Sequence, residues 1–461
     1  MKILCLGGLI AAALIVAAVL TWRGSARLEA KLAELHAKGE PIQLTDLARK
    51  PIPPEDNAAT YLRRAKDNIK AIESEVEAAF EAAPESEQKA MDDGVYSPAL
   101  QAAMKSSFEA YPEVVGLLIK AAACRDYDSQ LDYTAEPRTF LEGLLEQRPR
   151  SAMRVLSYWA ALQAIDGRTD ESVQTAIAML RLTRHFDRDP AMVCYLVSLA
   201  CRWYPIRVAN VALRSGGVTQ ETHNALEAEL AAHDLVASAQ HALRTERAMG
   251  MDLYRDLKKQ MGFFPAPWMN GDRADYLDLM AEAITVAPLP NYDSTGRAKY
   301  DAIVKNTGHL TKLLVPALQA MGEATCRGQA RIRCLRIVNV LTRSQPAADA
   351  PAPQLADLGL PRDVTIDPYN GQPLHLTKLP EGWLVYSVGK NLKDDGGGDL
   401  EDDLDVGLGP PKKPAGNPAA GGDDAPKVEG KASPEAPANE QALNVRLRFE
   451  LSWLPDRPCG C

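Results

Sequence analysis

Between Tyr386 and Gly407 the sequence YSVGKNLKDDGGGDLEDDLDVG gathers seven acidic side chains and five glycines. Carboxylates are the hard oxygen donors that Ca2+ takes, with carbonyls and water completing a shell of about six to eight. Glycines let a loop fold backbone carbonyls towards the same ion. Asp394, Asp395, Asp399, Asp402, Asp403 and Asp405, with Asn391 beside them, are therefore the candidate ligands. Seven acids against Lys390 and Lys393 leave a local charge of -5, which a cation or water must screen. An EF-hand register starting at Asn391 puts Lys393 at a ligand position and has no flanking helices, so that loop class is excluded. Two readings stand: a cation-stabilised loop, or a solvated acidic lead-in to the low-complexity run after Gly407.

Other reactive residue types are dispersed. The chain has no GxSxG elbow, HExxH, phosphate-cradling glycine motif or paired CxxC. His233 and His241 stand eight apart, two helical turns, beyond the reach of one metal ion. Cys194 and Cys201, and likewise Cys326 and Cys334, are about 10–12 Å apart along a helix, too far for a disulfide within it. Buried free thiols are the favoured reading, with bridges between neighbouring helices as the alternative. Cys459 and Cys461 alone make a weak site for a soft metal. Arg327, Arg331, Arg333 and Arg336 form a basic run that reads as a solvated face with local carboxylate partners rather than a phosphate site. A net charge of -9 argues against a nucleic-acid binder by bulk electrostatics.

The elements that position these residues begin at Ile3. From there to Trp22 no side chain is charged, and as a helix the run is about 30 Å long, enough to cross a bilayer core. A cleaved signal peptide has a shorter apolar region, so an uncleaved signal-anchor is expected; cleavage at Gly24-Ser25-Ala26 is the alternative. Arg23, Arg27 and Lys31 come after the run and Lys2 precedes it, which by the positive-inside rule alone leans towards a cytoplasmic body.

Helices are predicted onwards to Ser344, the first ending near Gly39 and the next capped by Asp56 or Asn57. Another runs to Ile165 and stops at Gly167. Asp170 is the expected cap of the following helix, Asp189 of the one after, with Pro190 at its first position, and Thr219 of a fourth after Gly216-Gly217. Trp159, Leu162, Ala176 and Pro190 resemble a tetratricopeptide repeat, without a second copy at the same period. Phe263, Phe264 and Trp268 read as pinning a proline-bearing loop to its own core. The last helices are expected at 300–321 and 325–342. Beyond a proline-rich connector, residues 364–389 read as a β-hairpin with turns at Asn370-Gly371 and Pro380-Glu381-Gly382. Residues 408–442 are low-complexity and expected to be disordered. Strict alternation from Leu443 to Trp453 predicts a strand that returns to the hairpin.

The order D-P-Y-N-G-Q-P-L from Asp367, G-W-L-V-Y-S-V-G-K-N from Gly382, then glycines and D-D-L-D-V ending at Val406 resembles the C-terminal domain of type II secretion major pseudopilins. That resemblance implies an N-terminal membrane helix, an aspartate-proline-aromatic-glycine turn, a short sheet and a calcium-stabilised loop. It makes Asp403 and Asp405 side-chain ligands, places Asn391 where the family carries an aspartate, and adds carbonyls near Val385 to Lys390. Other parts of the chain depart from the family. After Gly8 comes LIAAA, without the phenylalanine-like residue and the glutamate of a prepilin peptidase site, and a long helical body intervenes. The whole chain more nearly resembles bacterial single-anchor membrane proteins that share this ending.

The expectation is a mainly α protein, a helical bundle or irregular α-solenoid, with an N-terminal transmembrane helix and a small C-terminal antiparallel β module. Its parts are an anchor over 1–22, a helical domain over 23–344, a linker over 345–362, a β module over 363–407, an insert over 408–442, a returning strand over 443–455 and a tail over 456–461. The expected role is structural or interactive, with Ca2+ at Asn391, Asp394, Asp395, Asp399, Asp403 and Asp405. The expected partners are the membrane, through the N-terminal helix, and a protein on the helical body, with no nucleic acid. The expected place is the bacterial cytoplasmic membrane, single-pass, with the body extracytoplasmic. An enzyme with a cleft among the helices and a repeat-type adaptor are the alternatives.

Overall fold

Alanine, leucine and long unbranched side chains lose little rotamer freedom in a helix, and the first 344 residues are rich in them. A computed structural model describes residues 2–92, 95–145, 149–260, 269–287, 294–344, 352–380, 382–397 and 406–409. Its helices are α1 (Lys2–Ala37), α2 (Ala58–Glu81), α3 (Glu85–Asp92), α4 (Pro98–Ala110), α5 (Glu113–Ala123), α6 (Pro137–Leu145), α7 (Pro149–Ile165) and α8 (Thr169–Phe186). They continue as α9 (Met192–Ser215), α10 (Gln220–Ala231), α11 (Leu235–Gln260), α12 (Met269–Val286), α13 (Ser294–Asn306), α14 (His309–Lys312) and α15 (Val315–Ser344). The chain is mainly helical, with one small antiparallel sheet near the C-terminus.

Several boundaries are set by local chemistry. The Asn57 side chain accepts from Ala59 N at the start of α2, and Thr219 accepts from Thr222 N at the start of α10. Gly39, Gly167 and Gly216 take positive φ just beyond α1, α7 and α9, a conformation that only glycine adopts at no steric cost.

Two expected caps are corrected. Arg168, not Asp170, occupies the N-cap of α8; Asp170 sits in the first turn and its carboxylate accepts from Thr219 N at 2.8 Å, joining the starts of α8 and α10. Helix α9 starts at Met192 after Ala191 at φ 78, so Pro190 is not its first residue. Asp189 is turned inward to accept from Tyr127 and Ser129. The end of the helical run is also redrawn. The break falls at Thr307-Gly308, and α15 continues unbroken through Gly322. A Cβ at Gly308 would collide with the Asp272 carboxylate, whereas one at Gly322 would meet nothing within 4 Å.

Among the described residues, the three largest apolar clusters hold most of the helices. Ile72, Met104, Leu118, Met153 and Leu156 join α2, α4, α5 and α7, while Leu28, Leu277, Met280 and Met321 join α1, α12 and α15. Leu180, Leu226, Leu335 and Ile337 form the third cluster, which includes Leu374, Val385 and Leu408 of the C-terminal segment. Burying each such side chain contributes roughly 1.5–3 kcal/mol. The sheet order is β1 (His375–Leu379), β2 (Gly382–Ser387) and β3 (Val406–Leu408), all antiparallel. Val385 pairs with Leu408, so β3 occupies one edge of β2. The alternating stretch from Leu443 to Trp453, the low-complexity run and the aromatic loop at Phe263, Phe264 and Trp268 lie outside the described residues.

Helix α1 has two unlike halves. From Gly24 onward it packs parallel to α12: Gly24 abuts Gly271, Ser25 Oγ accepts from Asn270, Arg27 pairs with Asp275 and Asp278, and Lys31 with Asp278. The described side chains before Gly24 stand clear of the body, with Ile15, Val16, Leu20 and Trp22 being 64, 57, 57 and 71% exposed. Among the described residues, which in α1 begin at Ile15 for side chains, no helix is long and apolar enough to cross a membrane.

A Cβ on Gly24 would lie 2.8 Å from the Gly271 backbone nitrogen, so one helix must shift to admit it. Gly24→Leu is expected to destabilise the fold by about 1–3 kcal/mol, read as a lowered thermal midpoint of the purified chain. An unchanged midpoint would show that the crossing is looser than drawn.

Candidate functional site

The C-terminal segment is organised by Asp367. Its backbone closes a turn, with Asp367 N donating to Gln372 O at 2.7 Å and Gly371 N donating to Asp367 O at 2.9 Å. Its fully buried carboxylate accepts from Tyr369 N, from Ser387 Oγ at 2.8 Å and from Val388 N at 2.9 Å. The D-P-Y-N-G turn is thereby tied to the end of β2, and buried carboxylates need such donors. Tyr369 OH then donates to Glu323 on α15 at 2.7 Å, and Arg333 donates to Ile366 O at 2.6 Å.

The basic run of α15 is thus a docking face rather than a solvated one. Arg331 lies over the Trp203 ring at 4.2 Å from its centroid, and Arg336 pairs with Glu227 at 2.6 Å. The expected carboxylate partner holds for Arg336. Arg333 uses a backbone carbonyl and Arg331 an aromatic face, because the sheet and α9 cover this side.

In the acidic loop the described candidates face one another. Asp394 accepts from Tyr386 OH and from Gly396 N, both at 2.9 Å, and lies 3.3 Å from His375 Nδ1. These donors hold its carboxyl below the ordinary value, the Gly396 amide first and the Tyr386 hydroxyl second. His375 stacks on Tyr386. Asp395 accepts from Asn391 Nδ2, and Asn391 Oδ1 accepts from Lys393 N. Asn391, Asp394 and Asp395 thus make hydrogen bonds within the loop and to its neighbours. No group of three or more His, Cys, Asp or Glu placed to hold a metal occurs among the described residues. Asp399, Asp402, Asp403 and Asp405 lie outside them.

A groove of about 430 Å³ runs between one face of α7 and one face of α9. Tyr96, Tyr158, Trp203 and Tyr204 give it aromatic walls, and Arg154 and Arg207 give it cations. Small residues at Ala160, Ala161 and Ala164 open its floor. Arg154 pairs with Glu73 at 2.9 Å, while its Nε is buried with no hydrogen-bond partner among the described residues. Burial raises the Tyr158 and Tyr204 hydroxyl pKa values, so both stay protonated donors. The described lining contains no carboxylate and no imidazole. Sequence reading missed this groove, because its walls come from helices whose apolar residues look like core.

Two buried polar knots lie elsewhere in the helical body. Arg202, 1% exposed, pairs with Asp187 and donates from Nε to His233 Nδ1 at 3.2 Å. Accepting at Nδ1 places the His233 proton on Nε2, and burial beside Arg202 and Arg184 drives this imidazole well below its ordinary pKa. Ser198 and Ser238 also donate to Asp187, locking α8, α9 and α11 together. His241 instead approaches Arg188 O at 3.4 Å, so the two histidines serve separate contacts. In the second knot Asp189 accepts from Tyr127 OH at 2.8 Å and Ser129 Oγ at 2.7 Å. Cys124, Cys194, Cys201, Cys326 and Cys334 form no disulfide among the described residues.

Comparison with known proteins finds no matching family model, no similar curated protein and no similar solved structure.

Asp367→Ala leaves three donors without their acceptor and is expected to cost about 2–4 kcal/mol, read by urea unfolding. A loss below about 1 kcal/mol would remove Asp367 from this organising role. Burial pushes Asp189 up to about 6, against the pull of the Ser129 and Tyr127 donors. The folded state therefore holds this proton more tightly than the unfolded one. Stability from this group is greatest below about pH 4 and falls by roughly 3 kcal/mol as pH rises through about 6. Asp189→Asn should flatten that decline; an identical pH profile in the variant would refute the assignment.

Proposed function

We propose that this chain is a membrane-anchored interaction protein: α1 is a single-pass anchor in a bacterial cytoplasmic membrane, and the helical body presents a binding groove on the extracytoplasmic side. The observation that carries the anchor is the division of α1. Bare apolar side chains precede Gly24, and a docked, ion-paired face comes after it within the same helix. Together with the uncharged run from Ile3, this supports a helix made for two solvents. The α7–α9 groove supports binding over catalysis, since its described lining offers aromatic faces and guanidinium groups but neither a carboxylate nor an imidazole for proton transfer. Extracytoplasmic placement rests on the resemblance of the C-terminal segment to pseudopilins.

The same resemblance assigns a Ca2+ ion to the acidic stretch, with Asp403 and Asp405 as side-chain ligands. The ion stiffens a loop and takes no part in chemistry. Asn391, Asp394, Asp395 and Asp399 are the further candidate ligands, and Asp394 also ties the loop to Tyr386 and His375.

Carbonate extraction tests the anchor: the full chain should stay with the membrane pellet and a version lacking residues 2–22 should leave it. A phosphatase fused after Asn306 should be active only when exported, and activity confined to a cytoplasmic reporter at that site reverses the orientation. Titration calorimetry of the full chain should show Ca2+ binding that Asp403→Ala with Asp405→Ala abolishes. No heat at millimolar Ca2+ removes the ion from the proposal.

A further inference from the structure

Four cations gather where α1 leaves the body. Because α1 and α12 run parallel, with Gly24 against Gly271 and Arg27 against Asp275, the N-terminal end of α12 faces the bare half of α1. Three other elements converge on that end. Tyr254 of α11 donates to Asp272, Thr311 of α14 donates to the Asp272 carbonyl at 3.2 Å, and Gly308, just past α13, packs on the Asp272 carboxylate. Arg23, Arg273, Lys305 and Lys312 sit on these converging ends, and none of them has a carboxylate partner among the described residues. Arg273 Nε is buried with no hydrogen-bond acceptor among the described residues, and burial beside Arg255 lowers the pKa of its guanidinium. Leu313, two residues beyond Thr311, is 52% exposed.

The neighbouring acids cancel only part of this charge. Asp275 and Asp278 are paired with Arg27 and Lys31, and Asp256 with Lys259; Asp272, which accepts from Tyr254, and Asp301, one turn from Lys305, are the two negative charges set against the four cations. In a chain of net charge -9, an excess of cations at the exit of an apolar helix favours an anionic counterpart.

We infer that the end of the body formed by Arg23, Arg273, Lys305 and Lys312 rests on the surface of a bilayer rich in anionic phospholipid, with Leu313 reaching the headgroup boundary. This inference depends on the anchor proposed above. Interfacial lysines and arginines attract anionic headgroups within about a Debye length, so the contact weakens with salt. A free protein partner would have to approach this end past the membrane itself, whereas lipid phosphates already lie there.

The test uses the full chain in nanodiscs of phosphatidylcholine alone or of equal parts phosphatidylcholine and phosphatidylglycerol, read by hydrogen–deuterium exchange. Amides of 301–313 should exchange several-fold more slowly in the anionic discs, and high salt should erase the difference. Arg273→Gln with Lys305→Gln and Lys312→Gln should erase it too, while far-ultraviolet circular dichroism confirms an unchanged helix content. Equal exchange in the two lipids for disc-bound protein overturns the inference and leaves the anchor intact. Recovery of the chain without discs overturns both.

Discussion

The contact on which the arrangement depends is the close crossing of α1 and α12. Gly24 lets the backbones meet where a side chain at that position would hold them apart, and Arg27 and Lys31 then reach Asp275 and Asp278. Exposed ion pairs contribute little, typically up to about 1 kcal/mol, so steric fit decides the distance and the charges decide the register. Leu28 in the apolar cluster beneath supplies the burial term. Since both helices point the same way, this crossing also determines which end of the body the apolar half of α1 projects from.

The interior is joined by polar groups as well as by its apolar clusters. Asp187 with Arg202, Asp189 with Tyr127, and Asp367 with the end of β2 each join segments distant in sequence. Such groups are costly to bury and are stabilising only when fully partnered, so they specify one arrangement more than they strengthen it. The sheet is the clearest case. It is too small to be stable alone, and it borrows α15 through Tyr369, Arg333 and a shared apolar cluster.

Legibility in the sequence depends on range. Asn57, Thr219 and the glycines after α1, α7 and α9 act on amides a few residues away, so their roles are readable locally. Asp170 and Asp189 look like caps by type and position, yet their carboxylates serve Thr219 and Tyr127, which only the fold brings near. Gly308 ends a helix because of Asp272, 36 positions earlier, and nothing beside Gly308 records that. The D-P-Y-N-G turn is visible as a turn, but its service to Val388 N is not. In the acidic loop, composition marks Asp394 as a candidate ligand, but nothing local records that it also meets Tyr386 and His375.

The unbroken course of α1 makes the molecule a lever. α1 runs without interruption past Trp22 and Gly24, so in the proposed anchor the body would follow the helix instead of swivelling as on a glycine-rich stalk. At the average transmembrane tilt of about 20°, the roughly 20 Å from Gly24 to Ala37 would place the far end of the helix about 7 Å to one side. With α1 as the proposed anchor, whatever the groove between α7 and α9 holds would be carried sideways with the tilt of that helix.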